Sequence, residues 1–144
     1  MEENKIISDE KDKSNRLKYL EEEKEKQGRR KNDYVEQLEE IKKLLEGNEK
    51  EIKYNEDWIK FHENSIEGHK NKIRETFNFE EKKDQEEKIK FHEQQIEEHH
   101  KKYIEYHKKE AEAIKKEIEI FELGIKRCEE QLEFIERKIE ENRN

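Results

Sequence analysis

The sequence contains no proline, four glycines and one cysteine, and only 28% of its 144 residues are apolar, against 51% Asp, Glu, Lys or Arg. Each scarcity excludes something. So small an apolar fraction cannot cover the interior of a compact globular domain of this length. No run approaches the roughly 20 apolar residues of a membrane span, and Met1-Glu-Glu-Asn-Lys5 has no apolar segment of a leader peptide. A cytoplasmic setting with no membrane contact is the expectation. A lone Cys128 forms no internal disulfide and has no metal-binding spacing around it, and reads as a small buried apolar side chain. The 41 acidic and 33 basic side chains, net −8, interleave along the whole length, so no basic face marks a nucleic-acid partner. There is no Gly-rich phosphate loop, and the three serines have no partnering base. The chain reads as a non-enzyme without cofactors.

What is present is periodicity, which separates a charged helical protein from a charged disordered one. From Leu38, steps of three and four give Ile41, Leu45, Asn48, Ile52, Asn55, Ile59, His62, Ile66, His69 and Ile73. In heptad terms every a position is Leu or Ile, and the d positions after Ile41 are Asn, Asn, His and His. A second seam runs Ile89, His92, Ile96, His99, Tyr103, skips one residue, then continues His107, Ala111, Ile114, Ile118, Phe121, Ile125, Cys128, Leu132, Ile135 and Ile139. One skipped residue relieves the phase drift between 3.5 and 3.6 residues per turn. The heptad fails at Thr76–Asp84, where Asn78 and Glu81 have capping-box spacing, and before Tyr34 the first seam is weak through Lys31, Gln27 and Lys24 and recovers at Leu20 and Leu17. Gly28–Asp33 and Gly47–Asn48 are weaker interruptions.

These seams predict an all-α fold, a long antiparallel helical hairpin coiled coil, as a single domain over 1–144. The helices are placed at about 8–76 and 81–142, with the turn at about 77–80. Two alternatives are a three-helix arrangement broken near 28–33, with Leu17 and Leu20 folded back, and a parallel coiled-coil dimer. With the turn centred near Phe79, four layers set a histidine against an isoleucine: His69 with Ile89, Ile66 with His92, His62 with Ile96, and Ile59 with His99. Farther along, Leu38 meets Phe121 and Tyr34 meets Ile125. The segment Ile59-Lys-Phe-His-Glu63, with Ile66 and His69, recurs as Ile89-Lys-Phe-His-Glu93, with Ile96 and His99. A duplicated helix pairing with its own copy is the implication.

Two groups of residues bear on function. Asn48, Asn55, His62, His69, His92, His99 and His107 form a polar seam of the kind that specifies register and partner number. Histidines seven apart on one helix stand about 10.5 Å apart, too far to share a metal ion. Only cross-hairpin sets drawn from His62, His99, His69 and His92 offer a metal-binding alternative, and a pH-responsive bundle is its companion. The second group, Tyr54, Trp58, Phe61, Phe91, Ile120 and Phe134, lies outside the seam. Large aromatics left wet on a two-stranded bundle point to another helix that covers them. The expected role is that of a scaffold that self-associates as a homo-oligomer and binds a protein partner helix to helix. Packing imidazole against isoleucine penalises its charged form, so acid is expected to loosen residues 59–73 and 89–103 first.

Overall fold

In the computed structural model, which describes residues 2–143 and the side chains of 9–143, the protein is all-α and forms a helical hairpin. Helix α1 spans Glu2–Glu75, α2 spans Phe79–Gln95, a π-helical turn covers Ile96–His100, and α3 spans Lys101–Arg143. Among the described residues only 76–78 are non-helical. No described helix is long and apolar enough to cross a membrane.

The absence of proline lets α1 run 74 residues without a break. The break weighed near 28–33 is not made. No described glycine takes a positive φ, and a single helical glycine costs only about 1 kcal/mol, which packing of the flanking turns outweighs. Two further differences from expectation lie at the turn. It occupies Thr76–Asn78 rather than about 77–80, because Asn78 caps α2 directly: its Oδ1 accepts from the backbone N–H of Glu80 at 2.9 Å and of Glu81 at 3.2 Å. The reciprocal half of the capping box is rerouted through Thr76. The Thr76 hydroxyl donates to the Glu81 carboxylate at 2.6 Å and accepts from the Asn78 N–H at 3.3 Å.

The chain divides into two compact units, Lys43–Lys115 and the paired segments Met1–Lys42 and Lys116–Asn144. In the second, Cys128, Ile135 and Ile139 of α3 are buried, so Cys128 occupies the small apolar position expected of it. The Tyr34 ring packs against Phe121 with centroids 6.0 Å apart and lies over Gly124, rather than meeting Ile125. Where the seam of α1 is weakest, ion pairs flank it: Lys31 with Glu129 at 3.3 Å and Lys24 with Glu136 at 3.4 Å. Both are about half exposed and contribute at most about 1 kcal/mol each.

In the Lys43–Lys115 unit every α1 seam position from Leu45 to Ile73 is covered. The returning arm of the hairpin departs from the expected seam at one place. Ile89, His92 and Ile96 are covered as expected, but His99 and Tyr103 are exposed, and His100 and Ile104 take their places before the seam resumes at His107 and Ala111. The one-residue skip therefore exists, seven residues earlier than its expected site. It is absorbed by the π-helical turn, which accommodates an extra residue without rotating the helix that follows.

Candidate functional site: a polar core beneath an aromatic face

The polar seam residues of α1 recur every seven residues at Asn48, Asn55, His62 and His69. Each meets a polar partner from the returning chain. Asn48 Oδ1 lies 2.8 Å from His107 Nδ1, Asn55 Oδ1 lies 2.9 Å from His100 Nδ1, and His62 Nδ1 lies 2.7 Å from His92 Nδ1. His69 Nδ1 meets Gln85 Oε1. The partners 107, 100, 92 and 85 are spaced seven, eight and seven, and the interval of eight contains the π-helical turn. Because the π-helical turn absorbs that extra residue, polar side chains meet polar side chains on both sides of it.

The pairing corrects the expected frame, in which His62 faced Ile96 and His92 faced Ile66. The chain is shifted by four residues, and the reason is energetic. A buried imidazole with no partner costs about 1–3 kcal/mol of desolvation, and the observed frame leaves no buried side-chain nitrogen or oxygen without a partner among the described residues. Asn55 and His62 are only 5% and 7% exposed. Isoleucines Ile59, Ile66, Ile89 and Ile96 fill the intervening covered positions.

The donor and acceptor roles follow from the asparagines. Asn55 Nδ2 donates to the Glu51 carbonyl at 2.8 Å and Asn48 Nδ2 to the Leu44 carbonyl at 3.1 Å, each one turn back along α1. Each amide oxygen is thereby turned across the hairpin as an acceptor, so His100 and His107 carry their proton on Nδ1 and donate it. Between His62 and His92 one Nδ1 carries the proton and the other accepts it.

The duplicated segment sits at the centre of this arrangement. His62 and His92 are the same residue of the two copies and hydrogen-bond to each other. On one side Asn55 pairs with His100, and on the other Gln85 pairs with His69. Gln85 is the counterpart of Asn55 thirty residues on, and His100 stands one residue beyond His99, the counterpart of His69. The repeat thus docks on its own copy about a local twofold axis, with the π-helical turn displacing one partner from His99 to His100. His100 and Gln85 were not among the expected seam residues. The thirty-residue repeat would have revealed Gln85 from Asn55, whereas nothing in the heptad count distinguishes His100 from His99.

The imidazoles form a continuous row. Ring centroids are 5.5 Å apart for His69 and His92, 5.0 Å for His92 and His62, and 5.3 Å for His62 and His100. Trp58 closes the row, parallel to His100 within 5° at 6.1 Å. Burial lowers the pKa of His62, His92 and His100 below the ordinary histidine value, and neighbouring imidazoles lower each further: His92 and His100 act on His62, His69 on His92, and His99 on His100.

Above the row lies the aromatic group. Trp58 meets Phe61 edge to face at 5.3 Å and Tyr54 at 6.3 Å, and Phe61 and Phe91 each turn an edge to their adjacent histidine. Tyr54, Trp58, Phe61 and Phe91 are 58%, 38%, 53% and 55% exposed. Ile120 and Phe134 belong to the other unit and are also exposed; the Lys138 ammonium lies 5.6 Å from the Phe134 ring centre. Tyr103, expected in the seam, is exposed, and Phe77 and Phe79 project at the turn.

Comparison with family models, curated proteins and solved structures returns no match for this chain. Of the histidines weighed as metal ligands, His62 and His92 are hydrogen-bonded to each other, His69 is engaged by Gln85, and His99 is exposed. Among the described residues no three His, Cys, Asp or Glu are placed to share a metal ion.

Proposed function

We propose that this protein is a non-enzymatic coiled-coil scaffold that self-associates and binds a protein partner by helix-to-helix packing, in a cytoplasmic setting and without nucleic acid. The observation that supports this reading is the exposed aromatic group of Tyr54, Trp58, Phe61 and Phe91, three of whose rings already order one another edge to face while leaving their outer surfaces wet. Such rings bury 150–250 Å² each when fully covered. With about half of that still exposed, the four offer roughly 400 Å² per copy, or about 800 Å² for a symmetric pair. A standard interface buries about 1,200–2,000 Å², so the expected association is reversible and in the micromolar range unless flanking helix surface adds to it.

Sedimentation equilibrium between about 1 and 200 μM is the test, with Trp58 emission followed in parallel. Association with a blue shift of Trp58, abolished by Phe61→Lys with Phe91→Lys, is expected. A monomer throughout that range, with unshifted emission, would sink the self-association reading.

A further inference from the structure

We propose that proton uptake by the imidazole row loosens the duplicated segment under Trp58 and so makes self-association acid-sensitive. The coupling rests on the self-association reading above; the proton sensitivity rests on the geometry of the row.

The row has a limited capacity for protons. His62 and His92 meet Nδ1 to Nδ1 at 2.7 Å, a contact that holds one proton between two nitrogens. A first added proton goes to the outer Nε2 of the donor ring and leaves the contact intact. A second must enter the acceptor Nδ1, setting N–H against N–H, and the pair separates. The neighbours tighten the restriction. Rings 69, 92, 62 and 100 follow one another at 5.0–5.5 Å, so charging more than alternate members places imidazolium against imidazolium. The remaining partners, Asn55 Oδ1 and Gln85 Oε1, are neutral.

No carboxylate compensates from within the row. The charged groups adjoining the row on the surrounding elements include Lys60, Glu63, Glu67, Lys70 and Lys72 of α1, Lys88 and Glu93 of α2, Glu97 and His99 of the π-helical turn, and Lys101 of α3. All are exposed, with Lys88 paired to Asp84 and Lys101 to Glu97. One favourable term opposes the effect, the attraction of a charged His100 for the face of Trp58, but it serves only the terminal ring and acts at 6.1 Å, the outer limit of a cation–π contact.

The sign follows from linkage. His62, His92 and His100 have folded pKa values below the ordinary one, so below about pH 6.5 the unfolded chain binds more protons. Their stabilisation is complete above that pH and is lost as pH falls. A histidine kept neutral by folding changes the opening equilibrium by about tenfold between pH 7.5 and 5.5.

Hydrogen exchange on the full chain, corrected for intrinsic rates, tests the core, and sedimentation at the same two pH values tests the coupling. Protection of residues 55–69 and 85–100 is expected to fall by tenfold or more at pH 5.5 relative to residues 125–139, and the associated species to dissociate. Unchanged or greater protection at pH 5.5 overturns the proposal, and persistent association under those conditions leaves the self-association reading standing. Loosening with a monomer at both pH values overturns that reading and the coupling with it, and upholds the proton-sensitive core. In the double variant His62→Gln, His92→Gln an amide pair replaces the imidazole pair, and the pH effect is expected to shrink by tenfold or more. Should that variant fail to fold, NMR titration of the native imidazoles decides: ordinary titration of His62 and His92 refutes the limited proton capacity.

Discussion

The four glycines of this chain provide an internal comparison of packing against backbone freedom. A helical glycine costs about 1 kcal/mol relative to alanine, so replacement gains that amount wherever the new methyl meets nothing. A Cβ built on Gly28, Gly47 or Gly68 has no neighbour within 4 Å. At Gly124 it meets the Tyr34 ring at 3.0 Å from Cζ and 3.1 Å from both Cε atoms. Ordinary carbon contacts lie at about 3.5–4.0 Å, so the ring must lift by roughly half an ångström and disturb its packing on Phe121. Overpacking of this kind costs about 1–3 kcal/mol, which cancels or exceeds the propensity gain. Gly47→Ala and Gly68→Ala should each stabilise by about 1 kcal/mol, or roughly 3–5 °C in Tm for a chain of this size. The two sites are 21 residues apart, about 30 Å along one helix, so their effects should add. Gly124→Ala should range from neutral to about 2 kcal/mol destabilising. Urea and thermal unfolding, followed by circular dichroism, make the measurement. In a Tyr34→Ala background Gly124→Ala should recover the full gain, and a stabilisation as large as that of Gly47→Ala with Tyr34 in place would refute the steric argument.

Other perturbations address the polar core. Asn55→Leu removes the acceptor of His100 and should cost about 1–3 kcal/mol in urea unfolding, whereas His99→Ala, on an exposed side chain, should stay within about 0.5 kcal/mol. Deleting Glu98 takes the extra residue out of the π-helical turn without changing the phase of α3; near-wild-type helicity and stability are expected. Deleting Glu112 rotates the following seam by about 100°, and a marked loss of stability should appear in the same assay. Equal outcomes for the two deletions would show that the π-helical turn does not set the register.

Much of this arrangement was legible in the sequence, for identifiable reasons. Every covered α1 position from Leu38 to Ile73 except Ser65 lay in the heptad count, because isoleucine and leucine at strict intervals leave few choices of face. Asn78 announced its cap by residue type and spacing. The frame of pairing was less accessible. Near the turn, isoleucine opposite histidine and histidine opposite histidine satisfy the same periodicity, and only the partner requirement of a buried imidazole separates them. Centring the turn two residues late moved every layer by four. The skip was visible as a gap in the count, but its position depended on whether His99 or His100 faces inward, and adjacent histidines are interchangeable to any periodic argument. The aromatic group was anticipated as a wet stripe. The stacking of Trp58 on His100 was not, since it arises from His100 rather than His99 entering the core.

The alternation of isoleucine and polar layers gives the hairpin a vernier, with separate coarse and fine scales. Sliding one arm by a full heptad would set Asn48 opposite His100, Asn55 opposite His92 and His62 opposite Gln85, so hydrogen-bonding groups would still find one another. The three-residue turn resists that slide, because it would have to unwind about two turns of helix to permit it. Sliding by half a heptad asks much less of the turn, yet it seals imidazoles against isoleucine. The turn therefore selects the heptad and the histidines select the half. Replacing Thr76–Asn78 by a long flexible linker would erase the coarse scale alone, leaving an arm that jumps in steps of seven and never rests between them.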